Sequence, residues 1–210
     1  MVAIKKDRQR GRPRGFDRDE AIATAQQLFQ ERGYEGVGVA EIGKALGITP
    51  PSFYNAFGSK AALFSAVLDR YAGSFGRFVP EALAADGNVA TKIARLLREA
   101  ARLYAKAGGV AGCLVIDGAR GSGDAGARAL TDRKMAESRA MIARHIAAEY
   151  PARADELASI VMIALKGLSA AARDGASGEE LSSFADTMVA GFHVALDRNG
   201  KPSPAFAGEG

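Results

Sequence analysis

Residues 48–60, ITPPSFYNAFGSK, decide the fold because they place two prolines where a helix can begin but not continue. Thr49 is a good N-cap, and Pro50 suits the first helical position, where its missing N–H costs nothing and its φ is already helical. The helix ends near Phe57 because a Gly-Ser pair follows, and Ser59 caps the next helix. The stretch therefore predicts a short helix with a rigid N-terminus.

Amphipathic sequence upstream predicts two more helices. Asp17 can cap a first helix whose apolar residues recur at steps of three and four until Gly33. VAEIGKAL, residues 39–46, predicts a short second helix closed by Gly47, which suits the left-handed conformation. Two short helices joined by a tight turn form a helix-turn-helix, whose second helix enters the major groove of DNA. An ordinary helical hairpin with an aromatic core is the alternative.

In a helix-turn-helix, the proline-started helix would present polar side chains to the bases and pack its aromatic residues inward. The outward set is Thr49, Ser52 and Asn55, and the inward set is Phe53 and Phe57. The hydroxyl of Tyr54 and the ammonium of Lys60 could both reach backbone phosphates. The stretch therefore offers both base contacts and phosphate contacts.

A basic arm of residues 1–15 precedes these helices and favours a DNA-binding function. It carries six basic residues against one acidic residue, so the net charge of +4 is concentrated there. Within it, RGRPR spaces Arg12 and Arg14 around a proline, which suits insertion into an A·T-rich minor groove and resembles the core of an AT-hook. We expect a flexible arm, and a solubilising tail is the alternative.

From residue 16 to residue 64 the chain resembles the DNA-binding domain of the tetracycline-repressor (TetR) family of bacterial regulators. The elements A-x-x-L-F-x-x-x-G-Y, I-x-x-x-x-G-I-T and Y-x-x-F-x-S-K-x-x-L-F stand in order at the family's spacing. The resemblance implies an all-α homodimer with a three-helix DNA-binding domain and a body of about six helices for ligand binding and dimerisation. It places a helix-turn-helix domain at 16–60 and the body at 61–198.

The resemblance also implies residue roles in the recognition helix. The base-facing positions are Thr49, Pro50, Pro51, Ser52 and Asn55, and the phosphate contacts are Tyr54 and Lys60. Gly38 departs from the family pattern, because a Thr or Ser usually caps the second helix at that position. That cap and its phosphate contact are therefore not expected here.

The body shows long helical patterns, and its last two helices carry continuous apolar stripes. Those stripes are Leu157, Ile160, Val161, Ala164, Leu165 and Leu168, followed by Leu181, Phe184, Met188, Val189, Phe192, Ala195 and Leu196. The resemblance implies that the two helices pair with their mates in a homodimer; a place in the monomer core is the alternative. Residues 199–210 are expected to form a loose tail.

A glycine loop at residues 118–126 offers an alternative function. Gly121, Gly123 and Gly126 match G-x-G-x-x-G, and a preceding strand at CLVID would make a cofactor cradle for a nucleotide-dependent enzyme. One strand cannot build a doubly wound sheet, so we interpret GCLVIDGAR as a short buried helix instead.

Composition excludes several other classes. A single cysteine, Cys113, rules out an internal disulfide framework, and the start of the chain lacks the apolar core of a signal peptide. His145 and His193 lie on different predicted helices, so we predict no metal site, no cofactor and no catalytic residues. No apolar run is long enough to span a membrane, and we expect a cytoplasmic protein.

These observations predict a ligand-responsive transcriptional regulator, a repressor in the family pattern, that binds a quasi-palindromic operator in double-stranded DNA as a homodimer. Its effector would be a small molecule of unknown identity. Mixed polarity on the body helices suggests the ligand-binding candidates Tyr104, Cys113, Asp117, Met162 and Lys166. A non-specific architectural DNA binder that depends on the arm alone is a further alternative.

Overall fold

The computed structural model describes residues 17–105 and 109–197, and within those ranges all regular secondary structure is helical. Three helices form the DNA-binding end, and seven form the body. They are α1 (Arg18–Arg32), α2 (Val39–Leu46), α3 (Pro50–Phe57), α4 (Lys60–Gly73), α5 (Phe78–Ala84), α6 (Val89–Tyr104), α7 (Leu114–Asp117), α8 (Ala125–Ala147), α9 (Ala154–Arg173) and α10 (Gly178–Asp197). The all-α architecture predicted from the sequence is confirmed.

The caps of the first four helices follow the sequence signals. The Asp17 carboxylate accepts hydrogen bonds from the first-turn amides of α1, and the Thr49 hydroxyl accepts one from the Ser52 amide of α3. The Ser59 hydroxyl accepts one from the Ala62 amide of α4, whereas Gly38 before α2 offers no side-chain cap. Side-chain caps therefore fix where α1, α3 and α4 begin.

The turn between α2 and α3 depends on two glycines. Gly47 has a φ of 65° and a ψ of 29°, the left-handed conformation that only glycine adopts at little cost. A side chain at Gly43 would meet the carbonyl oxygen of Ile48 at 3.0 Å, so glycine allows α2 to lie close to the turn. Together they set the angle between the two helices.

An aromatic cluster joins the DNA-binding end to the body. The Phe29 ring of α1 lies 5.0 Å from the Phe64 ring of α4, edge to face, and Tyr34 lies 5.0 Å from Phe64. All three side chains are almost completely buried. Edge-to-face pairs add about 0.5–1.5 kcal/mol to the burial of their apolar area, so the cluster holds α4 against α1.

The body is a layered helical bundle in which α6 packs on α10 and α9, and α8 packs on α9. The α8 helix ends at Ala147, shortly before Pro151. Among the described helices, none combines the length and apolar character that a membrane span requires.

The glycine loop follows a helix and not a strand. Leu114–Asp117 is the short buried helix α7, as predicted, and Asp124 caps α8 by accepting hydrogen bonds from the amides of Gly126 and Ala127. The dinucleotide motif requires a parallel sheet before its loop, and residues 17–105 and 109–197 contain no strand. The G-x-G-x-x-G pattern here therefore serves another purpose.

Replacing Gly47 tests the geometry of the turn. Gly47→Ala should lower the free energy of unfolding by about 1–2 kcal/mol, because alanine is strained in the left-handed region although open space surrounds the position. Gly73→Ala is the matched control: Gly73 ends α4 with open space around it and no positive φ, so alanine should be neutral or stabilising. Urea unfolding of both variants measures the difference, and equal effects would contradict the strain argument.

Candidate DNA-binding site

The N-terminal half of α3 presents a polar, solvent-exposed face. Thr49, Pro50, Pro51, Ser52 and Asn55 are all exposed, and so is Tyr54 at 52%. On the opposite face, Phe53 and Phe57 are buried at 0% and 6% exposure and lie 5.4 Å apart. The structure therefore brings the predicted base-facing residues together on one surface.

Two interactions make this surface rigid. The hydroxyl oxygens of Thr49 and Ser52 lie 3.0 Å apart, within hydrogen-bonding distance, which joins the cap to the first turn. The Tyr54 ring packs edge to face on Phe53 at 5.4 Å, so its exposed hydroxyl is carried on a ring supported by the core. A preorganised surface of this kind loses little conformational entropy when it binds.

The structure shows a role for Lys60 that the sequence did not indicate. Its ammonium donates hydrogen bonds to the carbonyls of Tyr34 at 2.9 Å and Val37 at 3.0 Å, and lies 4.0 Å from the centroid of the Tyr34 ring. The side chain is half-buried and ties the 33–38 loop to the start of α4. Contact with a DNA phosphate remains a prediction for this residue, whereas the loop contact is observed.

Three cationic groups of the DNA-binding domain lie outside α3. The Arg18 guanidinium lies 5.7 Å from the centroid of the Phe57 ring, Lys44 is exposed on α2, and Arg32 pairs with Glu41 within the same domain. The predicted minor-groove residues Arg12 and Arg14 lie outside the described residues, as does the 199–210 tail.

A set of polar contacts joins residues 30–35 of the DNA-binding end to residues 118–124 and Arg173 of the body, and we call it the seam. Sequence reasoning did not predict it. One oxygen of Glu35 accepts hydrogen bonds from the Ser122 hydroxyl at 2.6 Å, the Gly123 amide at 2.8 Å and the Asp124 amide at 3.3 Å. These hydrogen bonds, the Ser122 hydroxyl first, lower the pKa of Glu35 and keep it ionised. The same loop that resembles a phosphate cradle thus binds a carboxylate of its own chain.

Three further contacts cross the seam. The Tyr34 hydroxyl donates to Asp124 at 2.7 Å, and the Tyr34 amide donates to the Gly118 carbonyl at 2.7 Å. Arg173, in the last turn of α9, donates from Nη2 to the Gln30 carbonyl of α1 at 3.0 Å. The only sequence signal for this seam was the glycine loop itself, and that pattern pointed to a cofactor.

The predicted ligand residues do not form one open surface. Tyr104, Cys113, Asp117 and Met162 are buried in the core, whereas Lys166 is exposed. Amphipathic periodicity identifies which residues face inward, but not whether a cavity separates them.

Two of these buried residues carry hydrogen bonds of the core. Burial raises the pKa of the Cys113 thiol, and the Cys113 amide donates a hydrogen bond to the Ser169 hydroxyl at 2.7 Å. Asp117 accepts a hydrogen bond from Ser169 at 2.5 Å and lies 3.4 Å from Arg173. Both residues therefore have a structural role that their sequence context did not indicate.

Two clefts flank the seam. One, of about 910 Å³, lies between α1 and residues 109–111 and includes Phe75 and Arg173 in its walls. The other, of about 370 Å³, lies between the 31–35 segment and the glycine loop and includes Asp117. Glu31 and Arg173 line both clefts. The seam is therefore bordered by space of the size that small molecules occupy.

Comparison with known proteins agrees with the helix-turn-helix geometry. Residues 21–67 match the model of the bacterial regulatory proteins of the tetR family. The chain is 41% identical to the HTH-type transcriptional repressor BdcR of Escherichia coli K12 over 185 residues, which cover 88% of this chain and 93% of BdcR. The chain belongs to the TetR family. It is a DNA-binding transcriptional regulator, and the resemblance stated from its motifs is confirmed.

Two further TetR-family proteins are similar over most of their length. The HTH-type transcriptional repressor ComR of Escherichia coli K12 is 33% identical, with 87% of this chain and 91% of ComR aligned. A cysteine variant of the regulator CifR, solved with 26-base-pair operator DNA, superposes with a TM-score of 0.74 at 33% identity. That superposition covers 85% of this chain and 98% of CifR, so the likeness includes the body as well as the DNA-binding end.

Replacing Lys60 separates its loop contact from a phosphate contact. Lys60→Ala should lower the free energy of unfolding by about 1–3 kcal/mol in the absence of DNA, because two buried carbonyls lose a charged donor. Lys44→Ala, which removes an exposed lysine of the same domain, should change it by less than about 0.5 kcal/mol. Thermal unfolding of both variants is the measurement; equal stabilities would show that the Lys60 hydrogen bonds contribute nothing.

Proposed function

We propose that the protein is a ligand-responsive repressor that binds a quasi-palindromic DNA operator as a homodimer. The observation that carries this proposal is the rigid, exposed polar face of α3, held on a buried aromatic base. Two relatives that align along nearly the whole chain carry the word repressor in their names, which supports repression over activation. CifR with its operator supports double-stranded DNA as the partner.

On the operator, Ser52 and Asn55 would contact base edges in the major groove, with Thr49, Pro50 and Pro51 at the start of the helix beside them. The Asn55 amide offers both a donor and an acceptor, the combination that reads adenine. Tyr54 and Lys60 would contact backbone phosphates, and Arg12 and Arg14 would reach the neighbouring minor groove. Base contacts give sequence preference, whereas phosphate contacts give affinity that falls with salt.

The dimer would form through α9 and α10. Three large apolar side chains remain exposed on these helices: Ile163 at 69%, Phe184 at 41% and Val194 at 58%. Their neighbours on the inner faces, such as Leu165 and Phe192, are buried in the core of the protomer. Of the two predicted stripes only Phe184 is exposed; Ile163 and Val194 lie outside them, and the other stripe residues are buried or half-buried in the protomer. A four-helix contact with a second copy would cover the three exposed side chains.

The effector would be a small molecule that changes the relative affinity of two dimer conformations. Asp117 is the one predicted ligand residue that lines a described cleft, beside the glycine loop, and it stays in the proposed ligand set. Tyr104, Cys113 and Met162 would take part only if the core opened, and Lys166 only from the surface. A molecule at the seam would contact the DNA-binding end and the body at once.

Sequence-specific recognition predicts a defined effect of Asn55→Ala. The variant should lose about 1–3 kcal/mol of binding free energy for the operator, with little change for unrelated DNA. Gln27→Ala is the matched control, because it removes an exposed amide from α1 without changing α3. Fluorescence anisotropy on genomic fragments across a salt series gives both affinities. Uniform binding by the wild-type chain, lost steadily with salt, would indicate a non-specific architectural binder instead.

Dimerisation through α9 and α10 predicts that Phe184→Glu weakens self-association by at least about tenfold, because a buried unpaired carboxylate is costly at an interface. Phe75→Glu is the matched control, since Phe75 has the same 41% exposure but follows α4. Sedimentation equilibrium measures both dissociation constants. A dimer unaffected by Phe184→Glu would place the interface elsewhere.

A further inference from the structure

The Glu35 carboxylate accepts hydrogen bonds from the loop that precedes a long helix of the body. Its three donors come from residues 122–124, immediately before α8, a helix of 23 residues. The first-turn amides of that helix donate to the Asp124 carboxylate, so Glu35 binds the loop before the helix and not the helix N-terminus itself. Ser122 is buried at 3% exposure, so one donor lies within the body and not on its surface. Glu35 is thus a contact from the DNA-binding domain to the loop that leads into the longest described helix of the body.

The 33–38 loop, which carries Glu35, is also hydrogen-bonded to the start of α4, next to the recognition helix α3. Lys60 donates to the carbonyls of Tyr34 and Val37, on either side of Glu35. Lys60 is also the first residue of α4, and only residues 58–59 separate it from the end of α3. A short covalent and hydrogen-bonded path therefore leads from the recognition helix through the 33–38 loop to the start of α8.

Besides Glu35 and the hydrogen bonds of Tyr34 and Arg173, the two parts meet through apolar packing, which is less directional. The α1 helix meets α4 through the aromatic cluster of Phe29, Tyr34 and Phe64. Apolar packing resists separation but allows one surface to slide on another, whereas hydrogen bonds with three donors to one oxygen fix an angle. The Glu35 contact is thus suited to setting orientation and not only to adding stability.

We propose that Glu35 is a positioning residue that sets the angle between the DNA-binding domain and the body, and thereby the half-site spacing that the dimer accepts. The inference rests on the proposed function, because half-site spacing matters only when the two DNA-binding domains of a dimer bind one operator. Two recognition helices that bind successive major grooves must lie about 34–36 Å apart. A small rotation of each DNA-binding domain therefore changes how well the dimer fits the two half-sites. In this arrangement the glycine loop binds the Glu35 carboxylate of its own chain.

Variants of the full-length chain test this role. Binding is measured on the operator and on operators whose half-sites are moved apart or together by one or two base pairs. In the wild type, affinity should peak at the native spacing. In Glu35→Ala, the ratio of affinities between native and altered spacing should fall by about tenfold, because the domain can rotate.

Conservative and matched variants separate positioning from general damage. Glu35→Gln should retain most of the spacing preference, since its amide oxygen can accept the same hydrogen bonds. Glu41→Ala removes the same charge from the same domain but from a pair with Arg32 that does not reach the body, so its spacing profile should match the wild type. If Glu35→Ala does not fold, Ser122→Ala tests the contact from the body side and should lower the same affinity ratio by a smaller factor, because the Gly123 and Asp124 amides still donate to Glu35.

The outcomes distinguish this inference from the proposed function. A wild-type spacing profile in Glu35→Ala or, if that variant is unfolded, in Ser122→Ala would overturn the positioning role while the regulator remained. Reduced thermal stability with an unchanged profile would likewise reduce Glu35 to a local stabiliser. A wild-type chain that prefers no DNA sequence would overturn the proposed function and the inference with it.

Discussion

Tyr34 is the point at which the DNA-binding end and the body become one structure. Its ring packs against Phe29 and Phe64, its amide donates to Gly118, its hydroxyl donates to Asp124, and its carbonyl accepts from Lys60. Every polar group of the residue therefore has a named partner, although the residue is only 3% exposed. Buried polar groups are stable only when they are paired in this way, so the position of Tyr34 fixes the elements around it. The burial of the ring and the directional bonds act together to define one arrangement of α1, α4 and α8.

Local chemistry explains why much of the DNA-binding end could be predicted from the sequence. The bounds of α2 and α3 depend on nearest neighbours: a proline that can only start a helix, a threonine cap, and Gly47 in the left-handed region. The inward orientation of Phe53 and Phe57 follows from helical spacing alone. Such signals act within a few residues, and the motif order that resembles the TetR family adds specificity to them. The exposed face of α3 was therefore predictable residue by residue.

The hydrogen bonds of Lys60 and the burial of the ligand-binding candidates could not be predicted in the same way, because both depend on distant residues. Lys60 contacts carbonyls more than twenty residues upstream, and nothing in its own neighbourhood indicates that partner. The pocket candidates were chosen for mixed polarity, yet the same mixture arises when buried polar groups satisfy one another. Asp117 shows this, since it accepts a hydrogen bond from Ser169, which also accepts one from the Cys113 amide at 2.7 Å. A paired polar cluster and an open binding site look alike in sequence, because only packing separates them.

The glycine loop shows the limit of motif reasoning most clearly. A G-x-G-x-x-G loop before a helix exposes amides to an anion, and this physical property is the same whether the anion is a phosphate or a carboxylate. In this chain α7 stands where the dinucleotide motif has a strand. The Glu35 carboxylate accepts hydrogen bonds from the amides of Gly123 and Asp124. The motif therefore indicates a loop that can bind an anion, but it does not indicate which anion the loop binds. Because the anion belongs to the DNA-binding domain, the loop that resembled a cofactor site joins the two functional parts of the protein. Any molecule that enters the neighbouring 370 Å³ cleft lies against the residues of that joint.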